Sequence, residues 1–421
     1  MAEKVDTIVV GGGQAGLAMS YSLSQLGLEH VIIERSRVAE RWRSERWDSL
    51  AFQFPNWSLT LPGYGYRTND PDGFAHRDHV VQFLEEYAVH IQAPLRLGVT
   101  ATSLCGKAAN GYRFALETDR GTLEARNVVL ATGPFQRPSI PSCSASIPDG
   151  IMQIHSRAYR NPQQLPPGPV LVVGGGTSGA EIAEELHRAG RDVYLSIGGY
   201  RKGPRQYRGR DFLWWINQLG LWDRPVDLCP DARKERVPLL TGRDGGSAID
   251  LRRFAGDGAY LLGRMQGIRD GKVTLAPDVE ADLGAGDAWF ARFRQMMDDY
   301  VEYAGLEFPE ENGSDTADNG RAGSAPPIIE LDLRGAGIVS VIWATGYQYD
   351  FGWIKLPVFA DTGEPVQRRG VTSVPGLYFL GLRRMYTVKS ALLSAAGVGA
   401  DAEYLAERIA TEACRPGRDH R

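Results

Sequence analysis

The chain has 421 residues, which is too long for one compact core and fits two or three domains. Its net charge of −4 gives no global reason to expect a nucleic acid or an anionic membrane as a partner. No apolar run approaches the ~18 residues of a membrane span, and no signal peptide precedes the first predicted strand. We therefore expect a cytoplasmic protein.

The predicted elements begin with a β–turn–α–β unit of the length that a parallel sheet requires. It comprises a buried strand over 6–10, a glycine-rich turn, a helix over 14–26 and a second strand over 30–34. An amphipathic helix over 78–91 follows. The later strands, turns and helices are predicted within 127–133, 169–176, 179–189, 192–198, 338–347 and 376–410.

The first glycine-rich stretch, VVGGGQAGL, follows a strand and opens a helix. In such a turn Gly11 permits the tight bend, Gly13 lets the backbone approach a pyrophosphate, and Gly16 lets helix and sheet pack closely. The helix N-terminus directs its N–H groups and positive dipole end at the phosphates. Glu34 ends the next strand, where a carboxylate accepts hydrogen bonds from a ribose 2′-OH. This pattern predicts a dinucleotide site.

The second stretch, VVGGGTSGA, repeats the same unit. An ungapped alignment places the three glycines on Gly174, Gly176 and Gly179, which indicates an internal duplication. At the end of the following strand, Ile197 stands where the first copy has Glu34. The second site therefore lacks the acid that would hold a free ribose hydroxyl.

The residues around that strand end favour a phosphate instead. The loop 199–210 contains five basic residues and no acid. A 2′-phosphate repels carboxylates and attracts hydroxyl and guanidinium donors, so the second site is predicted to prefer NADPH. Ser196, Arg201, Lys202 and Arg205 are the candidates, with Arg201 favoured on reach; a solvated basic loop is the alternative.

With these motifs in place, the chain resembles the flavin-containing monooxygenases, particularly their bacterial relatives with FAD and NADPH on two nucleotide-binding domains. The resemblance covers nearly the whole chain. Besides the two glycine turns, it rests on RWRSERWDSL (41–50), PNWSLTLPG (55–63), LATGPFQRP (130–138), IHSRAY (154–159), IWATGY (342–347) and GLYFLGL (376–382).

The resemblance implies an α/β fold with two Rossmann-like dinucleotide-binding domains, the NADPH domain being inserted within the FAD domain. We expect the two parts of the FAD domain at 1–160 and 336–421 and the NADPH domain at 161–335. Within the latter, the composition of 305–327 predicts an exposed, poorly ordered loop.

The resemblance also implies roles for individual residues. Trp42 and Trp47 would lie along the FAD, and the amide of Asn56 would orient NADP⁺ and stabilise a flavin peroxide; a turn residue before Trp57 is the alternative for Asn56. A helix starting near Thr387 would direct its N-terminus at the flavin ring. With Asn56 as the catalytic residue, the predicted cofactor-binding residues are Gly11, Gly13, Gln14, Ala15, Gly16, Glu34, Arg35, Trp42, Trp47, Ala131, Thr132, Gly133, Gly174, Gly176, Thr177, Ser178, Gly179, Ser196, Arg201, Ala344, Thr345, Gly346, Gly381, Ser390 and Leu392.

One segment departs from the family pattern. The signature F-x-G-x-x-x-H between the domains is incomplete, because Gly150 lies five residues before His155 and the phenylalanine is absent. Baeyer–Villiger oxidation of ketones is therefore not supported by motif. We expect His155 to be a linker residue that helps to position the domains.

The leading hypothesis is a monooxygenase in which NADPH reduces FAD, and reduced flavin and dioxygen form a peroxide that oxygenates a soft nitrogen or sulfur nucleophile of a small molecule. The alternatives are a flavoprotein reductase, an NADPH oxidase without oxygen insertion, ketone oxygenation, and a flavin-bound sensor. The four cysteines form no C-x-x-C pair, which argues against a reductase with an internal dithiol. No metal-spaced His/Cys cluster is found. Formation of a homodimer is compatible with the sequence.

Overall fold

The structure of the protein, a computed structural model, describes residues 2–109, 111–229, 236–309 and 327–413. Most of the predicted loop 305–327 lies outside these residues.

The first sheet has eight strands and carries the first glycine turn, residues 11–16. Its central strand, Glu3–Val10, runs parallel to His30–Glu34 on one side and to Gly121–Leu130 on the other. Ile8 and Val9 are fully buried, as expected for a parallel strand covered on both faces. The remaining strands are Leu95–Leu97, Ala101–Ala109, Tyr112–Thr118, Ile354–Lys355 and Leu377–Phe379.

The second sheet has five parallel strands and carries the second glycine turn, residues 174–179. Their spatial order is Met152–His155, Ser340–Trp343, Val170–Val173, Val193–Ser196 and Tyr260–Leu262. The first two strands lie outside the range 161–335 that was predicted for this domain. The second sheet therefore extends beyond both predicted boundaries, because parallel pairing adds strands that are distant in sequence.

The predicted helices correspond closely to Gln14–Gln25, Arg77–His90 and Thr177–Arg188. Each glycine turn thus leads directly from a buried strand into a helix, as the sequence predicts. The other α-helices are Glu40–Ser44, Phe212–Gln218, Leu251–Gly256, Val279–Ala304 and Ala400–Ala413.

The sequence analysis predicts a helix that starts near Thr387, but the tail does not form one continuous helix there. A 3₁₀ turn at Val388–Ala391 is followed by a π-helical segment, Ala395–Gly399, which leads into Ala400–Ala413. Leu392 and Ser394 have extended backbones, and these interrupt the helix. The short turn still reaches the first domain, since Gln14 Nε2 donates to Ala391 O at 2.9 Å.

Shorter strands complete the fold. A three-stranded antiparallel sheet flanks the second sheet and consists of Met265–Arg269, Lys272–Leu275 and Glu330–Asp332. The four two-stranded ribbons are Thr60–Leu61 with Tyr64–Gly65, Arg137–Pro138 with Tyr347–Gln348, Gln206–Tyr207 with Arg210–Asp211, and Leu240–Thr241 with Ser247–Ala248.

The segment that follows the strand Val193–Ser196 is rich in aromatic residues and packs onto the first domain. Trp222 contacts Phe54 edge-to-face at 5.8 Å, and Arg205 donates to Gln53 O at 2.9 Å. The fully buried Trp215 belongs to the same hydrophobic core as the first sheet. These contacts fix the segment around Gln53 against the space between the two sheets.

Candidate active site

The first glycine turn has the geometry that a pyrophosphate cradle requires. Gly11 has φ +114°, and a Cβ there would lie 2.5 Å from Ala131 O. A Cβ on Gly16 would lie 1.8 Å from Gly11 O, so Gly16 is required for close packing of helix and strand. A Cβ on Gly13 would meet nothing within 4 Å and would project into open space. The turn therefore leaves its backbone accessible at Gly13, as the pyrophosphate role demands.

Glu34 is fixed at the end of the neighbouring strand. Its Oε2 accepts from the Gly12 N–H and its Oε1 from the Ser36 N–H, both at 2.8 Å. Each carboxylate oxygen keeps a second lone pair. The side chain is thus oriented by the backbone and remains able to accept from ribose hydroxyls.

The second glycine turn repeats this arrangement. Gly174 has φ +120°, a Cβ there would lie 2.4 Å from Ala344 O, and a Cβ on Gly179 would lie 1.8 Å from Gly174 O. Gly176, like Gly13, has nothing within 4 Å of an added Cβ. The internal duplication is therefore a duplication of geometry as well as of sequence.

A single cavity of about 1490 Å³ joins the two turns. It is also lined by the two crossovers, residues 131–133 and 344–346. The second crossover is tied to the segment after the first, because the Ser139 N–H donates to Gly346 O at 2.9 Å. The predicted residues that line it are Gly11, Gly13, Gln14, Ala15, Glu34, Arg35, Trp42, Trp47, Ala131, Thr132, Gly133, Gly174, Gly176, Thr177, Ser178, Gly179, Ser196, Arg201, Ala344, Thr345, Gly346, Gly381 and Leu392.

Three predicted residues do not line the cavity: Gly16, Ser390 and Asn56. Gly16 does not line the cavity because it packs under the turn, as described above. Ser390 is buried, and its Oγ accepts from the Tyr386 and Thr387 N–H groups at 3.0 Å. Ser390 therefore caps the short turn of the tail instead of facing the cavity.

Asn56 differs most from expectation. It begins the 3₁₀ turn Asn56–Ser58, where its Nδ2 donates to Asp70 O at 2.9 Å and its backbone N–H to Gly73 O at 2.8 Å. The Asn56 side chain is thus held by the loop that contains Asp70. This geometry does not support the predicted catalytic role.

Two other side chains of that segment face the cavity. Trp47 and Gln53 both line it, and the sequence analysis did not single out Gln53. Trp47 Nε1 and Gln53 Nε2 are buried donors without a hydrogen-bond partner within the described part of the chain. As residues of the cavity wall, both are candidates for contact with a bound molecule.

The predicted 2′-phosphate ligands are only partly brought together. Arg201 lines the cavity, and Ser196 does too, but the Ser196 hydroxyl donates to Gly263 O at 2.8 Å. Lys202 pairs with Asp250 at 2.8 Å, and the buried Arg205 pairs with Asp211 at 2.6 Å; neither lines the cavity. Of the four candidates, Ser196 and Arg201 line the cavity, and the Arg201 guanidinium lies 4.7 Å from the ring centre of Trp289.

Two further arginines contribute there, and the sequence analysis missed both. The guanidinium groups of Arg236 and Arg264 each donate to Gly198 O at 2.6 Å, directly after Ile197, and both residues line the cavity. Arg264 could have been found, since it follows Tyr260–Leu262, whose carboxyl end lies beside that of Val193–Ser196. Arg236 has no such signal in its local sequence.

His155 connects the second sheet to the second crossover. Its Nδ1 accepts from the Arg157 N–H at 3.1 Å, so its Nε2 carries the proton and donates to Gly346 O at 2.9 Å. Burial lowers the pKa of this imidazole, which keeps the ring neutral. His155 does not line the cavity.

Glu181 is an unexpected buried acid on the cavity wall, one turn into the helix Thr177–Arg188. Burial raises the pKa of its carboxyl to about 8, against the opposing attraction of Arg243. The carboxyl is therefore largely protonated near neutral pH.

Among residues 2–109, 111–229, 236–309 and 327–413, no group of His, Cys, Asp and Glu side chains has the arrangement of a metal site. The helices of these same ranges include none that is both long and apolar enough to span a membrane.

Comparison with known proteins agrees with this architecture. The family model of the pyridine nucleotide-disulphide oxidoreductases matches residues 8–217. The uncharacterized oxidoreductase CzcO-like of Geobacillus kaustophilus is 36% identical over 414 residues, covering 97% of this chain and 99% of its own. The indole-3-pyruvate monooxygenase YUCCA1 of Oryza sativa subsp. japonica is 25% identical over 416 residues, covering 96% and 90%.

A solved structure extends the likeness to the whole fold. The flavin-containing monooxygenase of Stenotrophomonas maltophilia superposes with a TM-score of 0.67 at 19% identity, covering 98% of this chain and all of its own. The chain belongs to the family of the CzcO-like oxidoreductases, and its fold is that of the flavin-containing monooxygenases. It is an oxidoreductase that uses a flavin and a pyridine nucleotide, and the predicted two-dinucleotide-domain α/β fold is confirmed.

Proposed function

We propose that the protein is an FAD- and NADPH-dependent monooxygenase that oxygenates a soft nitrogen or sulfur nucleophile of a small molecule. The observation that carries this proposal is the single cavity lined by both glycine turns. Two dinucleotides held there would extend towards the crossovers from opposite sheets. That arrangement suits direct hydride transfer between them.

The first turn is proposed to hold FAD. Gly13 leaves room for the pyrophosphate, and Glu34 offers oriented lone pairs to the ribose hydroxyls of the adenosine half. Trp42 and Trp47 form part of the wall beyond them.

The second turn is proposed to hold NADPH. Ile197 replaces the ribose-binding acid, and Arg201, Arg236 and Arg264 place three cations at the cavity near that strand end. Guanidinium groups suit a 2′-phosphate because they donate several hydrogen bonds in a fixed fork.

When bound, NADPH supplies a hydride, and reduced FAD activates dioxygen for transfer of one oxygen atom to the substrate. The chain's own contribution is positioning and exclusion of water. Gln53 and Trp47 line the cavity, and we propose that they contact the bound molecules. We assign to Gln53 the amide function that the sequence analysis expected of Asn56.

The proposal is tested with purified enzyme, NADPH and ¹⁸O₂ against a panel of thioethers and tertiary amines. We expect one ¹⁸O atom in the product and a higher kcat/KM for NADPH than for NADH. Reactions without NADPH serve as the control. Formation of one hydrogen peroxide for each NADPH consumed, with every substrate, would contradict oxygen insertion and favour an NADPH oxidase.

The position of the cysteines gives no support to a disulfide reductase. Cys105, Cys143 and Cys229 are free thiols, and none of the three lines the cavity. Cys414 lies outside the described residues. Within the described part of the chain, no dithiol is placed to exchange electrons with a cofactor in the cavity.

A further inference from the structure

Two guanidinium groups approach the same aromatic ring inside the cavity. The Cζ atoms of Arg46 and Arg383 lie 5.3 and 4.8 Å from the ring centre of Phe135. All three residues line the cavity. Two like charges thus lie against the same ring of the cavity wall, within about 10 Å of each other.

The charges of these two arginines are not neutralised by the protein. Neither residue forms an ion pair with a carboxylate in the described ranges, and Arg46 Nη1 donates only to a backbone carbonyl, Glu45 O, at 3.0 Å. The Glu45 carboxylate is already shared by Arg41 and Arg157, at 2.9 and 2.7 Å.

Burial, reinforced by the neighbouring cations Arg384 and Arg46, lowers the pKa of Arg383. Like charges in a partly desolvated wall disfavour the empty state. A bound anion would relieve that cost, because carboxylates accept paired hydrogen bonds from guanidinium groups.

The position of the pair separates it from the two pyrophosphate cradles. Phe135 follows the first crossover by two residues, and its ring packs edge-to-face at 5.1 Å against Tyr347, which follows the second crossover. The pair therefore lies where the two sheets meet, whereas each cradle lies at a helix N-terminus. The rings of Phe135 and Tyr347 add aromatic surface to the cavity wall beside the charges.

We propose that Arg46 and Arg383 bind the carboxylate of the substrate, so that the enzyme acts on small, partly aromatic acids. As a substrate class this rests on the proposed monooxygenase function. As an anion site it stands on the geometry alone.

Binding is tested on the FAD-loaded enzyme with saturating NADP⁺, using calorimetry with phenylacetate and its neutral isostere phenylacetamide. We expect phenylacetate to bind at least about tenfold more tightly, as hydrogen bonds to charged groups allow. Arg46→Met and Arg383→Met should each remove about tenfold of phenylacetate affinity and leave phenylacetamide unchanged. Arg253→Met, which removes an equally positive but 85% exposed side chain, should change neither.

Equal affinity for the two probes, or no detectable binding of phenylacetate, would overturn the proposal. So would variants that lose FAD or raise KM for NADPH while phenylacetate binding stays unchanged, because the arginines would then serve cofactor phosphates. Should Arg383→Met fail to fold, Arg46→Met carries the same test alone.

Turnover of two thioethers, (phenylthio)acetate and its amide 2-(phenylthio)acetamide, separates this inference from the proposed function. Oxygenation of the amide in preference to the acid would contradict the anion site and leave the monooxygenase intact. Selective binding of phenylacetate together with complete uncoupling to hydrogen peroxide would support the anion site and contradict the monooxygenase.

Discussion

Replacement of Gly13 by alanine should separate cofactor binding from folding. Gly13 has φ −86° and ψ −169°, a conformation that alanine adopts without strain. The added Cβ meets no atom within 4 Å. We therefore expect the unfolding free energy of the cofactor-free protein to change by less than about 1 kcal/mol.

The binding of FAD should change far more. The methyl group would project where the backbone has to approach the pyrophosphate, so at least one hydrogen bond to a charged oxygen is lost. Such a bond contributes about 1.5–3 kcal/mol, which corresponds to a rise of about 10–100-fold in the dissociation constant. Flavin fluorescence during titration of the cofactor-free protein measures this constant, and thermal unfolding measures stability.

Three further glycine variants make the experiment specific. Gly176→Ala should leave FAD affinity unchanged and raise KM for NADPH by a similar factor. Gly284→Ala, on an exposed helix position with no atom within 4 Å, should affect neither cofactor. Gly16→Ala should prevent stable folding, since its Cβ would lie 1.8 Å from Gly11 O. Wild-type FAD affinity in Gly13→Ala would refute the pyrophosphate assignment.

Four other substitutions have distinct expected outcomes. Arg264→Ala should lower kcat/KM for NADPH by about tenfold and leave that for NADH unchanged; equal losses would argue against a 2′-phosphate contact. Gln53→Met should raise the hydrogen peroxide formed per NADPH, whereas Asn56→Ala should lower Tm without changing this yield, and the reverse result would restore Asn56. For Glu181, the folded state keeps a proton between pH 4.5 and about 8 that the unfolded state loses. The stability of wild type relative to Glu181→Gln should therefore fall across that window, by up to about 1.4 kcal/mol per pH unit, and a flat difference in denaturant titrations would contradict the buried acid.

The features of the candidate site that the sequence makes visible are those that local backbone geometry dictates. Gly11 needs a positive φ and Gly16 needs the absence of a Cβ, and both requirements follow from a strand that turns directly into a helix. The position of Glu34 follows from the fixed length of the β–α–β unit. These constraints act within about 25 residues, so they are visible in the sequence.

The choice between Asn56 and Gln53 depends on contacts that the local sequence does not contain. Asn56 is held by Asp70 O, and Gln53 is held through its carbonyl by Arg205. Which side chain of the segment faces the cavity is thus decided by two distant loops. The tail was mispredicted for a related reason, because the extended Ser394 interrupts a segment whose composition favours a helix.

The two glycine turns show how one duplicated unit came to suit two different ligands. Their backbones impose the same limits, since a Cβ added to Gly16 or to Gly179 would lie 1.8 Å from the carbonyl oxygen of the first glycine of its turn. The turn itself therefore does not distinguish the two sites. The difference lies at the next strand end, where an added Cβ on Gly12 would meet Glu34 and one on Gly175 would meet Ile197. Beside the uncharged Ile197, Gly198 O accepts hydrogen bonds from Arg236 and Arg264, and this charge difference is the basis for proposing a ligand with one more phosphate at the second turn.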